Sequence, residues 1–566
     1  MSSKQTNRRK LKKQSKIKNL SYPILTFLDR TNALPYFQAI INRSLKFMAI
    51  KKQFNSELNY RVYSKMFKDA FKRESSSVKS NILIPCFHPV NSTIFLRQMT
   101  LTRFLMNEGH DVLFIVCDGF FNICQMERFE KTRSDFKYLC HECSYNYKSV
   151  ERETGLSLKY LSSFKEYFDS NDYLKVTEEV KQLSSVADCE AFVTFDGLPL
   201  GLINKVGIMR FFQQGQLEER DEILDVYKKY LLDTYRTHCI FTKIMSINQT
   251  KKVILWSGTT GHEKTIAVAA QTKNVDYITQ EMYIGNNSWI YKKNAIAIHL
   301  DYYSDWIDKR NSISFSENDK EKVLNLFSGM KTGATFAVSY NDSTKKLALD
   351  PNKKYAVLFT NMNFDMYVLG RNPIFESMKA WVKETIAFWR ENVRDVTLII
   401  RAHPGEIKLV TASVDFVSDA VQIKDSDDIL FFDSDSDVNS YDLLHVAQYV
   451  LTYSSTIGAE ALLQSIPCIS AGETMYQNFC NAPKSKSDYF EQVLKYNACQ
   501  FMKTDRENLL NYLHYLMFIK NVEIQGFRVN RKVGRVDFDS TIHEYNQLLA
   551  VNDVVLRGFY NEVINN

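Results

Sequence analysis

Apolar positions along the chain fall into two blocks, each alternating short continuous apolar runs with longer runs spaced at three and four residues. The first block opens at Asn81, where "NILIPCF" has the length and continuity of a buried strand. "HPVNST" follows as a loop with a helix cap at Ser92 or Thr93, and "IFLRQMTLTRFLMNEGH" reads as a helix stopped by Gly109. "DVLFIVCDGF" is the next strand, and strand, helix, strand in that order predicts a parallel sheet with a right-handed crossover. Further strands are expected at "EAFVTFDG", "KVILWSG" and "VDYITQEM", with "TTGHEKTIAVAAQTKN" as a helix between the last two. A more polar stretch with one helix, "SENDKEKVLNLFSGM", separates the blocks. The second block runs through strand "KYAVLFTN", helix "IFESMKAWVKETIAFWRENV", strand "VTLIIRAHP", an acidic stretch, and then "YVLTYSSTIGAEALLQSIPCISAG".

The pattern predicts an α/β protein with two Rossmann-like parallel-sheet halves. The expected division is a basic tail over 1–20, a helical extension over 21–78, a first Rossmann-like domain over 79–300, a linker over 301–350, a second over 351–505, and closing helices over 506–566. A chain of 566 residues exceeds what one hydrophobic core serves, which agrees with two domains.

The formal net charge of +7 changes meaning once it is located. Residues 1–20 hold eight Lys and Arg and no acid, so the remainder carries −1. The folded body is close to neutral, which argues against a nucleic-acid partner. The tail reads either as a solvated disordered segment or as one attracted to an anionic membrane surface, where each Lys or Arg contributes about 1 kcal/mol. No apolar run reaches a membrane-spanning length and no signal-peptide core follows the basic start, so the expected location is the cytoplasm, peripheral on the inner face of the membrane. The ten cysteines are then expected as thiols and not as a disulfide framework.

Ligands of open parallel sheets bind beyond the carboxyl ends of the strands. Two loops there are chemically loaded. "RAHPGE" brings out Arg401 and His403 after "VTLII", and "SSTIGAE" begins a helix with Ser454, Ser455 and Thr456. Hydroxyl donors beside unpaired helix N–H groups make a phosphate site without a metal. Glu460, four residues after Thr456 on the same helix face, leans back toward that pocket and suits ribose or sugar hydroxyls. The alternative is that Ser454 to Thr456 only cap a helix and Glu460 is solvated.

The combination "RAHPGE" followed by "DLLHVAQYVLTYSSTIGAEALLQSIPCISAG" resembles the C-terminal half of GT-B glycosyltransferases of surface-polysaccharide biosynthesis. The pattern is similar to that of capsule polysaccharide, Kdo and bacterial sialic-acid transferases, which carry an HP motif and later paired serines. In those enzymes the HP histidine and the serines lie at the nucleotide phosphates, and the resemblance implies the same for His403, Ser454 and Ser455. The first half, through "VCDGFFNICQMERF" and "DGLPLGLINKVGIMRFF", resembles the N-terminal part of other surface-carbohydrate proteins. The resemblance implies a GT-B fold, a nucleotide-sugar donor, a glycan or lipid-linked acceptor, and no catalytic metal. The chain lacks the acidic "DDG"-type motif that would mark a catalytic base, so the base is not carried over.

For that base the first half offers His88, Asp118, Asp196, His262 and Glu281, each at or near the end of an expected strand. His262 in the Gly-containing "SGTTGHEKT" and Glu281 after "VDYIT" are the leading candidates. Cys117, Cys124, Cys140 and Cys143 combine a C-x2-C pair with two upstream thiols, a set able to hold one structural zinc ion. The competing reading makes Cys117 the end of a buried strand and Cys124 a core residue. The acidic run Asp425 to Asp437 is spaced irregularly and reads as a solvated loop. The expected function is transfer of a sugar from a nucleotide donor to a cell-surface glycan. A polyol-phosphate transferase of the teichoic-acid type, a sugar-nucleotide epimerase and a non-catalytic glycan-binding protein are the alternatives.

Overall fold

The computed structural model describes residues 79–88, 93–124, 147, 150–151, 155–283, 288–299, 301–332, 349–408, 415–423, 428–524, 527–530, 535–538 and 545–565. The expected basic tail and helical extension lie outside these. The described residues form two compact units.

The first unit holds residues 79–211, Glu218–Ala297 and the end of the chain from Val522. Its strands are β1 (Asn81–Cys86), β2 (Asp111–Val116), β3 (Leu158–Tyr160), β4 (Lys252–Ile254), β5 (Asp276–Met282) and β6 (Ser288–Lys293). The sheet order is β6-β5-β4-β1-β2-β3, with Val522–Glu523 added outside β6. The pairs from β5 to β3 are parallel, and β1 and β2 run in register from Asn81↔Asp111 to Cys86↔Val116. β6 turns back antiparallel on β5, and Val522–Glu523 is antiparallel to β6.

Helix α1 (Thr93–Asn107) joins β1 to β2 and ends before Gly109, whose φ of 91° only glycine adopts without strain. Ile82 and Ile84 enter one core and Leu83 another, so β1 is buried on both faces, as its continuous apolar run requires. The expected strand at "EAFVTFDG" does not form. Val186–Ala191 is a helix, begun by a capping box between Ser185 and Asp188, and Val193 and Phe195 beyond it are exposed. A helix unmarked in the apolar pattern, α2 (Asp221–Ile247), buries Tyr227, Tyr230, Leu231 and Ile240 and packs against α3 (Gly261–Thr272).

The second unit holds Phe212–Leu217 and Ile298–Asn521. Its sheet is wholly parallel, in the order β11-β10-β7-β8-β9, from β7 (Lys354–Phe359), β8 (Val396–Arg401), β9 (Ile429–Phe432), β10 (Ala447–Thr452) and β11 (Cys468–Ser470). Helix α4 (Met378–Asn392) covers it with Trp381 and Trp389, both fully buried. β9 stands inside the acidic run Asp425 to Asp437, which reads as a loop, and helix α5 (Ser440–Val446) follows that run. The described part of the 301–350 region is helical and groups with this unit, as does Arg506–His514, whereas Tyr545–Phe559 groups with the first.

Two α/β units with parallel sheets are the composition expected of the GT-B class. In each, the chain builds outward from its first strand on one side and then returns on the other. The switch points fall between β1 and β4 and between β7 and β10, and crevices form beyond the carboxyl ends of such pairs.

Candidate functional site

At the second unit's switch point three loops are tied together. Asn361, just beyond β7, donates from Nδ2 to Ser454 Oγ beyond β10 at 3.2 Å. Its neighbour Thr360 accepts the His403 N–H at 3.1 Å through Oγ1, which ties in the loop beyond β8. His403 Nδ1 accepts the Gly405 N–H at 3.0 Å. A side chain on Gly405 would sit 2.7 Å from that nitrogen, so the turn needs glycine. With Nδ1 engaged as an acceptor, the neutral ring carries its proton on Nε2 and presents a donor. Burial, and then the nearby Arg401 charge, lower the His403 pKa to about 4, so the ring is neutral at pH 7.

Helix α6 (Ile457–Leu463) follows Ser454 to Thr456 and spans only seven residues. Thr456 makes no capping bond, and the Ile457 N–H reaches Ser455 Oγ only at 3.5 Å. The loop is held through its backbone instead. Tyr476 Oη donates to the Ser455 carbonyl at 2.7 Å and lies 3.0 Å from Thr452 Oγ1, and a side chain on Gly458 would collide with that hydroxyl. All three hydroxyl residues are half-buried, with Ser454 meeting Asn361.

Two expected ligands have other work. Arg401 is 2% exposed and its guanidinium donates to the carbonyls of Asp433 at 2.5 Å and Ser436 at 3.4 Å, bracing the loop beyond β9. Burial pushes its pKa down to about 10, which leaves it charged at neutral pH. Glu460 is buried, and its carboxylate receives the hydroxyl of Tyr441 on α5, raising that phenol's pKa in addition to the larger effect of burial. Asn361 belongs to no motif that the sequence displays. Its only signal was its place after "VLFT", which matters once the strand order is known.

In the first unit His262 lies at the start of α3 with no exposed surface. Its ring centroid is 3.9 Å from that of Phe121 and 5.1 Å from that of Tyr230, and neither nitrogen has a hydrogen-bond partner among the described residues. Burial lowers its pKa to about 3. The expectation that this ring meets a ligand is corrected by its enclosure. Glu281 lies inside β5, opposite Ile290 of β6, and not in a loop after the strand; its Oε1 accepts the Met282 N–H at 2.9 Å. Asp118 takes the Ser162 N–H and hydroxyl, and Asp196 takes the Thr194 hydroxyl. His88, after β1, is 6% exposed.

Cys117 and Cys124 are half-buried thiols, while Cys140 and Cys143 lie outside the described residues. Among the described residues no group of three or more His, Cys, Asp or Glu is placed to hold a metal ion, and no helix is long and apolar enough to cross a membrane.

Residues 291–480 match the family model described as "Capsule polysaccharide biosynthesis protein". The match contains both "RAHPGE" and "SSTIGAE", so the three tied loops lie within the stretch that is similar to that family. No curated protein matches the chain. Among solved structures the chain is similar to the Thermosulfurimonas dismutans KpsC β-Kdo 2,4 transferase, at 13% identity over 53% of this chain and 87% of that one, with a TM-score of 0.35. The β-Kdo 2,7 transferase of the same organism matches at 13% identity over 57% and 88%, with a TM-score of 0.29. The Neisseria meningitidis UDP-GlcNAc 2-epimerase bound to UDP-GlcNAc matches at 9% identity over 77% and 98%, with a TM-score of 0.26.

Proposed function

We propose that the protein is a glycosyltransferase of capsule polysaccharide biosynthesis, and that its second unit holds the phosphates of a nucleotide-sugar donor at the β7/β10 switch point. One observation carries this reading. Asn361, Ser454 and His403, from three different loops, are linked beyond the carboxyl ends of β7, β10 and β8, inside the span that matches the capsule family. The seven-residue helix supplies little dipole, so the side-chain donors have to do most of the binding. Ser454, Ser455 and Thr456 offer hydroxyls, and His403 offers Nε2–H as a neutral donor. As the glycosidic bond to the phosphate breaks, negative charge grows on the phosphate, and preorganised donors stabilise it more in the transition state than in the ground state.

In this reading Arg401 and Glu460 are positioning residues, one holding the β9 loop and the other anchoring α6 to α5. The acceptor is a glycan or lipid-linked glycan, and the basic tail brings the protein to an anionic membrane face.

The test is thermal stabilisation by CMP, CDP, UDP, GDP and their sugars, where a specific ligand at a hundred times its dissociation constant adds about 2.7 kcal/mol. Stabilisation by one nucleotide class, lost in Ser454→Ala, supports the site. No stabilisation by any of them overturns it. Conversion of the sugar nucleotide without an acceptor would assign an epimerase instead.

A further inference from the structure

Beyond the second unit's sheet one carboxylate is held in a lopsided way. Glu473 stands three residues past the end of β11. Arg371, in the loop beyond β7, reaches it with both arms of its guanidinium fork, and Nε and Nη2 donate to the same oxygen, Oε2, at 2.9 and 2.8 Å. Nη1 donates to the Ile298 carbonyl at 3.0 Å. A side-on Arg–carboxylate pair puts one N–H on each oxygen. Here Oε1 makes no hydrogen bond among the described residues. The Arg371 side chain is 5% exposed and that of Glu473 is 44% exposed, so the guanidinium is enclosed while the carboxylate is open to a ligand.

The place of this pair follows from the strand order. β10 lies between β7 and β11, so a bridge from the β7 loop to the β11 loop crosses the carboxyl end of β10, where Ser454 to Thr456 begin. Backbone contacts fix the crossing. Gly472 packs so tightly on Tyr453 that any side chain there would collide with the Tyr453 carbonyl. Ser470 Oγ donates to the Gly472 carbonyl at 3.0 Å, and the Tyr453 hydroxyl donates to Asn372 Oδ1 at 2.5 Å. Glu473 and Ser454 each stand one residue beyond the Gly472–Tyr453 contact, and Arg371 stands one residue before Asn372. The carboxylate is therefore a neighbour of the proposed phosphate loop.

A lone carboxylate in that position would repel a phosphate. Arg371 balances its charge and still leaves Oε1 as an acceptor without a donor. An ionised carboxylate oxygen accepts only, so the ligand group that suits it is an O–H or N–H. On the nucleoside side of a nucleotide's phosphate, the nearest such groups are the ribose hydroxyls.

We propose that Glu473, held by Arg371, reads the ribose hydroxyls of the donor, so that the protein selects ribonucleotide sugars over deoxyribonucleotide sugars. The inference rests on the nucleotide-sugar reading of the second unit and uses no residue outside that unit. The transferred sugar carries hydroxyls as well, and free nucleotides separate the two sources because they lack that sugar.

The experiment is calorimetric titration of the full chain with whichever of CMP, CDP, UDP and GDP stabilises it, and with the 2′-deoxy and 3′-deoxy forms of that nucleotide. The parent is expected to bind the ribonucleotide roughly 10- to 100-fold more tightly than at least one deoxy form, the range of a hydroxyl bonded to a charged acceptor. Glu473→Ala should lose that preference and bind the ribonucleotide about as the parent binds the deoxy form. If Glu473→Ala fails to fold, Glu473→Gln keeps an oxygen for Arg371 and removes the charged acceptor, and the preference should shrink severalfold.

A parent that binds the ribonucleotide and both deoxy forms equally overturns the inference and leaves the nucleotide site standing. So does a folded Glu473→Ala or Glu473→Gln protein that weakens all three ligands by one factor, because a mere loop clamp acts on them alike. A parent that binds none of the four nucleotides overturns the nucleotide-sugar reading and this inference with it.

Discussion

Truncating Ser455 to alanine separates a phosphate loop from a capped helix. A serine that caps a helix loses about 1 kcal/mol of stability when cut back to alanine. Here the Ile457 N–H stands 3.5 Å from Ser455 Oγ, beyond the 2.7–3.2 Å range of an effective bond, so the expected loss is below about 0.5 kcal/mol. The contacts that place the loop, Tyr476 Oη and the Gly458 N–H on the Ser455 carbonyl at 2.7 and 3.3 Å, belong to the backbone and survive the change. A hydroxyl bonded to a charged phosphate oxygen contributes roughly 1.5–3 kcal/mol, so nucleotide dissociation constants should rise about 10- to 100-fold. Calorimetric titration with the stabilising nucleotide, paired with denaturant unfolding of the free protein, measures both quantities. Stability reduced by 1 kcal/mol or more with affinity unchanged would show that Ser455 serves the helix and that the phosphate site lies elsewhere.

His403 is neutral in the free protein and its Nδ1 is taken by the Gly405 N–H, so the ring serves as a neutral donor. Its contribution to nucleotide affinity should hold between pH 7 and pH 5, and His403→Ala should weaken binding to the same degree at both, which calorimetry at the two pH values checks. The His262 pKa is lowered to about 3, so between that value and the ordinary 6.5 the unfolded chain binds a proton that the folded chain does not, and this residue's contribution to stability falls as pH drops. His262→Leu should remove that loss, worth about 1.4 kcal/mol per pH unit, and leave turnover intact; urea unfolding at pH 7 and pH 5 with a kinetic assay checks both. Arg401→Met should cost about 2–4 kcal/mol in urea unfolding, because the Asp433 and Ser436 carbonyls lose their donor, and should weaken nucleotide binding less than Ser455→Ala does.

The strands whose apolar runs are buried on both faces were legible in the sequence. "NILIPCF", "KYAVLFTN" and "VTLIIRAHP" became β1, β7 and β8 because parallel strands covered on both faces need continuous apolar residues. "EAFVTFDG" shares that composition, but the Ser185–Asp188 capping box upstream commits its first residues to a helix and leaves Val193 and Phe195 exposed. Helix α2 escaped notice because polar residues and buried tyrosines share its 27 positions, and tyrosine is a weak marker of a core stripe. The antiparallel pairing of β6 with Val522–Glu523 joins residues more than 200 positions apart, a relation that local spacing does not carry.

The candidate site was legible as chemistry and illegible as partnership. Arg401, His403, Ser454 and Glu460 all stand at the ends of strands or the start of a helix, and each residue type suits a nucleotide sugar. Which of them faces a ligand depends on what the fold needs for itself. The guanidinium of Arg401, at the last position of a buried strand, has to find acceptors, and the nearest carbonyls are those of the β9 loop. Glu460 on a buried helix face likewise has to find a donor, and Tyr441 supplies it. The groups suited to a ligand stand in the loops beyond the strands: His403, whose neutral ring carries Nε2–H when Nδ1 accepts the Gly405 N–H, and Ser454, which accepts from Asn361.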